Sequence, residues 1–107
     1  MSSTKEYLDY VLDLLRGLDG VAHRRMMGEY VIYLRGKVVG GIYDDRFMLK
    51  PTKTALELLP DARMELPYEG GKPMILVDVE DSAVVARLVA AVHDDLPSPK
   101  KTARPRA

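Results

Sequence analysis

Cysteine is absent from the 107-residue chain. That removes a thiol nucleophile, a thiolate metal site and a disulfide framework together, and it fits a reducing compartment. Histidine is scarce. His23 and His93 lie far apart, and neither stands in the H-x-x-x-H or H-E-x-x-H spacing that aims two imidazoles at one metal. His93 falls near the end of the last expected helix, where an exposed or dipole-facing imidazole is ordinary. No G-x-S-x-G elbow exposes a serine nucleophile. No apolar run approaches the roughly 18–20 residues of a membrane span. The opening Met1 to Glu6 also lacks the basic-then-apolar order of a signal peptide. The expectation is a cytoplasmic chain that does not enter a membrane.

What is present suits one small domain. Apolar residues make up 47% of the chain and charged residues 30%, ordinary for a globular fold, and the length allows a single core. The formal net charge of zero conceals a split. Lys100, Lys101, Arg104 and Arg106 have no acidic neighbour in the tail, so residues 1–96 hold 12 basic against 16 acidic residues. An acidic body binds nucleic acid poorly, because phosphate neutralisation supplies most non-specific affinity. Direct nucleic-acid contact is therefore expected to be weak and dependent on the tail.

Local patterns give the order of elements. Ser3 and Glu6 form an S-x-x-E capping box, followed by an apolar helical face of Tyr7, Leu8, Val11, Leu12, Leu15 and Leu18. Gly17 and Gly20 close that helix. A strand is expected over Val21 to Met27, with Gly28 as a bulge or bend. Strands then follow at Glu29 to Leu34, Lys37 to Tyr43 and Arg46 to Lys50, all rich in Val, Ile, Tyr and Phe. Their separators, Arg35-Gly36 and Asp44-Asp45, have hairpin length. A short helix over Thr54 to Leu59 precedes a turn at Tyr68 to Lys72 and an apolar strand from Pro73 to Val79. Asp81 is the N-cap of a final helix whose buried stripe is Val84, Val85, Leu88, Val89 and Val92. Pro97 and Pro99 end it, and Ser98 to Ala107 is expected to be a disordered basic tail. The fold class is α+β, an antiparallel sheet of a meander plus one further strand packed by N- and C-terminal helices. The domain spans residues 1–96 and the tail 97–107.

Several features invite a chemical reading. Glu69-Gly70-Gly71-Lys72 lacks the spacing, the following Ser or Thr and the following helix of a phosphate loop, so it reads as a tight turn. The carboxylate pairs Asp44-Asp45, Glu80-Asp81 and Asp94-Asp95 read as hairpin turn, helix cap and solvated helix end, not as a hard-cation site. Six methionines, Met26 and Met27 adjacent, are mostly core filler, although alternation turns Met27 outward if Met26 is buried. Gly40 and Gly41 in mid-strand mark a bulge or the close approach of another group. No cofactor or metal is expected.

Taken in order, Arg25-Met26-Met27-Gly28-Glu29-Tyr30, Tyr33-Leu34, Gly36-Lys37, Arg46-Phe47-Met48-Leu49-Lys50, Tyr68 and Lys72-Pro73-Met74 resemble the N-terminal domain of the TfoX/Sxy competence-regulator family. The resemblance runs over about residues 5–96, with Met27 and Met48 where the family usually carries an aromatic. It implies a two-layer fold similar to the type III secretion chaperones, without enzymatic activity. Full-length regulators of this family act with the cyclic-AMP receptor protein and carry a C-terminal helix-hairpin-helix domain. Only a short basic tail follows Leu96, so a stand-alone N-terminal domain is expected.

The resulting expectation is a non-enzymatic, homodimeric protein-binding module in transcriptional regulation, with the transcription machinery as partner. Its contact residues would be Arg25, Met27, Tyr30, Lys50, Tyr68 and Lys72. The alternative is a small-ligand binder or enzyme, with a site near Gly40, Gly41, Gly70 and Gly71 and polar anchors from Tyr30, Tyr43, Tyr68 and Lys72.

Overall fold

Three consecutive two-residue turns organise the first half of the chain. Met27-Gly28 (φ 53° and 85°), Arg35-Gly36 (48° and 85°) and Asp44-Asp45 (both 55°) each place two residues at positive φ. That is the primed turn whose twist matches the strands on either side. A computed structural model describes residues 3–97. Its order is α1 (Lys5–Leu14), β1 (Val21–Met26), β2 (Glu29–Leu34), β3 (Lys37–Ile42), β4 (Phe47–Leu49), α2 (Lys53–Leu58), β5 (Arg63–Glu65), β6 (Met74–Leu76) and α3 (Ser82–Asp95). The six strands form one antiparallel sheet in the order β1-β2-β3-β4-β6-β5.

Cross-strand pairing lays two adjacent rows of side chains over the sheet. One runs His23, Ile32, Gly40, Leu49, Ile75 and Met64, and its neighbour runs Arg24, Val31, Gly41, Met48, Leu76 and Arg63. Directly opposed residues share a face, and the next residue along each strand points to the other. The first row lies on the helix side. Ile32, Leu49 and Ile75 are fully buried there, in one cluster with Leu8, Val11, Val85, Leu88 and Val92. α3 packs on β2 and β3, and α1 and α2 pack on α3. Burying one such aliphatic side chain is worth about 1.5–3 kcal/mol, so this layer carries the stability.

Gly40 shows how tightly β3 meets β4. A Cβ there would stand 2.1 Å from the Met48 carbonyl oxygen. Both expectations for the glycine pair are met, because the register also slips between Ile32 and Tyr33, leaving Val39 as the extra residue of a bulge.

The structure corrects several local expectations. Thr4, not Ser3, caps α1, its hydroxyl accepting from Tyr7 N–H at 3.1 Å. Ser3 is buried instead and ties the N-terminus to two turns. Gly28 is the bend of its two expected alternatives, the second residue of a hairpin turn, and β1 ends at Met26 because Met27 belongs to that turn. β3 ends at Ile42 and β4 runs only from Phe47 to Leu49, each inside the expected bounds, and Tyr43 and Arg46 exchange the two hydrogen bonds that close the Asp44-Asp45 turn. β6 is shorter than Pro73 to Val79 but lies inside the sheet, between β4 and β5. β5 was not anticipated at all. The methionines are not mainly core filler: Met48 is fully buried, whereas Met26, Met27 and Met64 are exposed.

Asp95 is more than a solvated helix end. Its carboxylate accepts from Thr54 N–H at 2.7 Å and Thr54 Oγ1–H at 2.8 Å, so the end of α3 caps the start of α2. These bonds hold its pKa below the usual carboxylate value. His93 sits in the last turn of α3 as expected, 3.1 Å from Asp94 Oδ1. Among the described residues, no helix is long and apolar enough to cross a membrane. The expected tail, Ser98 to Ala107, lies outside them.

Candidate functional site

The face of the sheet turned away from the helices carries the second row. The segment from Leu66 to Lys72 folds against this side. Arg46 anchors it, donating Nε–H to Tyr43 O (3.1 Å), Nη1–H to Glu65 Oε1 (2.8 Å) and Nη2–H to Pro67 O (3.3 Å). Tyr68 then meets Tyr43 edge-to-face, with ring centroids 5.9 Å apart. Burial, together with the nearby Tyr68 and Glu29, pushes the Tyr43 phenol above its usual 10.0. It stays a neutral hydrogen-bonding group across the neutral range.

The tyrosine pair divides this surface into two grooves. The larger, of about 810 Å³, is bounded by Met26, Met27, Val31, Tyr43, Pro67 and Tyr68, with Glu29, Asp44, Arg46 and Glu69 as its polar wall. Met27 is 97% exposed, Tyr68 61% and Met26 50%. The smaller, of about 530 Å³, has Lys50 and Lys72 around Tyr43 and Tyr68, with Gly40, Gly70 and Gly71 in its lining. Among the described residues neither lysine forms an ion pair.

A polar brace holds the rim of the larger groove. Ser3 Oγ–H donates to Glu29 Oε1, and Asp45 N–H donates to Ser3 Oγ at 3.0 Å. Asp44 N–H donates to Glu29 Oε2 at 3.2 Å, and Ser3 N–H to Gly28 O at 3.1 Å. Thr4 N–H adds a bond to Asp45 Oδ1 at 2.8 Å. The start of the chain thereby fastens the Met27-Gly28 turn beside the Asp44-Asp45 turn, and Met27 projects from a fixed support.

Of the residues expected to make contacts, Met27 and Tyr68 meet at the larger groove, and Lys50, Lys72 and Tyr68 at the smaller. Arg25 stands on exposed β1, outside both grooves. Tyr30 is a correction. It was expected to be exposed, but its place in the alternation turns it to the helix side, where it is only 7% exposed and packs near His23. The alternative site converges better than its sequence spacing suggests: Gly40, Gly70, Gly71, Tyr43, Tyr68 and Lys72 line one groove. Gly41 lies against the Tyr43 ring, and Tyr30 is on the other side of the sheet. Sequence reading missed Met26, Glu29, Arg46 and Pro67. Pro67, directly before the Tyr68 to Lys72 turn, was the available signal for a crossing segment.

Residues 13–93 match the family model described as the TfoX N-terminal domain, inside the span 5–96 expected from the sequence. The chain belongs to the TfoX N-terminal domain family. It is thereby a competence-related, regulator-like module. A relative from Spirochaeta aurantia is 34% identical over 102 residues, covering 94% of this chain and 89% of its own length. It is described as an uncharacterized 12.7 kDa protein in the trpE 5′ region. No solved structure matches, so the likeness to type III secretion chaperones has no structural counterpart here.

Proposed function

We propose that this TfoX-family chain works by binding a partner protein in transcriptional regulation, without catalysing a reaction, and that the contact surface is the larger groove and its Met27 rim. The observation that carries this is the backbone of Met27. A residue at φ 53° in a primed turn is favoured as Asn, Asp or Gly, and a long side chain there costs stability. Methionine at 97% exposure recovers nothing from the core. An adaptable apolar side chain held on a braced turn, beside Met26 and Tyr68, has the form of a protein-contact patch.

A photo-crosslinking amino acid at Glu69, on the groove wall, tests this in cells, with one at Tyr10 on α1 as control. The expected result is a discrete protein adduct from position 69 alone, identified by mass spectrometry as a component of the transcription machinery. No adduct, or the same adducts from both positions, rejects the contact surface; an adduct unrelated to transcription rejects the regulatory role. The expected homodimer belongs to the same proposal, and light scattering over a concentration series that reports only monomer removes it. Tail-dependent nucleic-acid contact predicts steep salt dependence and loss on truncation after residue 96.

A second reading is favoured by the smaller groove, where two lysines without ion pairs among the described residues flank a tyrosine pair. A small anionic ligand fits that chemistry. Calorimetry with inorganic phosphate should then give binding that is lost in Lys50→Glu and Lys72→Glu; no heat above dilution rejects it.

A further inference from the structure

β1 is an edge strand whose free side faces outward over its whole length. Gly20 O accepts from Arg35 N–H at 2.9 Å. Antiparallel bonding alternates from that point, so Ala22, Arg24 and Met26 make the bonds to Tyr33, Val31 and Glu29. The closing pair of the two-residue turn, Met26 and Glu29, requires the same phase. Val21, His23 and Arg25 therefore direct their backbone N–H and C=O groups away from the sheet. Residues Ala22 to Met26 are all exposed. The strand is regular over six residues and has no proline or bulge to block pairing.

His23-Arg24-Arg25 makes this edge basic, and among the described residues neither arginine has an ion-pair partner. A second copy is a poor occupant. Antiparallel self-pairing centred on Arg24 sets Arg24 opposite its own copy and His23 opposite Arg25. Centring on His23 sets the histidines opposite each other, with the arginines of both chains crowded on either side. Like charges directly across a ladder are destabilising. An acidic strand meets the same positions as opposite charge.

We infer that β1 takes up an extended acidic segment of the partner protein as a seventh strand, with carboxylates at two successive positions opposite Arg24 and Arg25. Those two carboxylates lie on opposite faces of the sheet, as Arg24 and Arg25 do. An apolar residue beside Met26 continues the segment into the larger groove, which Met26 also lines. This deepens the protein-binding reading and rests on it.

The test uses the full chain and two synthetic ten-residue peptides rich in Val and Thr, one with a central Glu-Asp pair and the other with Lys-Lys. The acidic peptide should bind about tenfold more tightly, a preference that Arg24→Glu with Arg25→Glu inverts. Binding should slow amide exchange at Val21, His23 and Arg25. His23→Pro removes one outward donor while leaving the β1–β2 bonds in place, and should abolish binding of both peptides. The double charge variant, confined to exposed side chains, keeps the test decisive should the proline variant fail to fold. Equal binding of the two peptides overturns the inference, as does unchanged exchange at those three amides. Exchange that slows with protein concentration alone overturns it in favour of a second copy. A position-69 adduct that survives both variants rejects the added strand but keeps the protein-contact face, whereas absence of that adduct when β1 is unsubstituted rejects the face itself.

Discussion

Neighbouring residues of β2 meet opposite surroundings. Tyr30, Ile32 and Leu34 are buried against the helices, and Glu29, Val31 and Tyr33 on the other side remain half-exposed. The same division continues along the helix-side row, where Tyr30 pairs with buried Ile42, Ile32 with Gly40, and Leu49 with Gly40 and buried Ile75. The helix side is constrained by volume and the open side by a few polar ties. A surface held by turns and hydrogen bonds leaves its remaining side chains free to be chosen for contact.

Substitutions can test how sharply the two sides differ. The largest effect is expected at Ile32→Ala, which leaves a cavity in the helix-side layer and should cost about 2–5 kcal/mol in denaturant unfolding. Val31→Ala, one residue away on the open side, should cost well under that, about 1 kcal/mol or less. Equal losses would erase the distinction. Gly40→Ala should cost on the order of 3 kcal/mol, because its methyl would drive the β4 backbone away. A circular-dichroism melt that matches the unsubstituted chain would show that β3 and β4 are not so closely joined.

Smaller effects belong to the ties. Ser3→Ala removes one donor and one acceptor from the brace and should cost about 1–2 kcal/mol. It should also speed amide exchange at Asp45. Asp95→Asn probes the link between α2 and α3 through pH. The Asp95 pKa is lowered in the folded chain, so its contribution is present above the unfolded value of 3.8 and is lost as pH falls through the folded value. The unsubstituted chain should therefore be more stable than the Asn variant near neutrality, and the difference should shrink below about pH 4. A gap that is constant with pH would assign the effect to something other than the carboxylate charge.

Much of the helix-side layer was legible because it follows periodicity. The apolar stripe of α3, its Asp81 cap and the separators Arg35-Gly36 and Asp44-Asp45 all have local signatures, and each appears in the structure. β5 had none. Arg63-Met64-Glu65 is short and mostly charged, and it becomes a strand only because β6 pairs with it. Ser3 was misread for a related reason: its capping pattern is local, while the bonds it makes reach Glu29 and Asp45. On the open face Tyr68, Lys50 and Lys72 were identifiable one by one. Their meeting depends on the Arg46 tether, which no spacing rule reveals. Strand alternation turns Met27 outward only beside a buried Met26, whereas Met26 is itself exposed and the exposure of Met27 comes from lying in the turn.

Position 27 offers the most direct test of the claim that the open-face rim exists for contact and not for folding. Met27→Asn supplies the residue type that the positive φ favours. It should leave the melting temperature unchanged or raise the stability by a few tenths of a kcal/mol, and it should abolish the adduct formed from position 69. An adduct undiminished in Met27→Asn, or a melting temperature lowered as far as in Ile32→Ala, would contradict the claim.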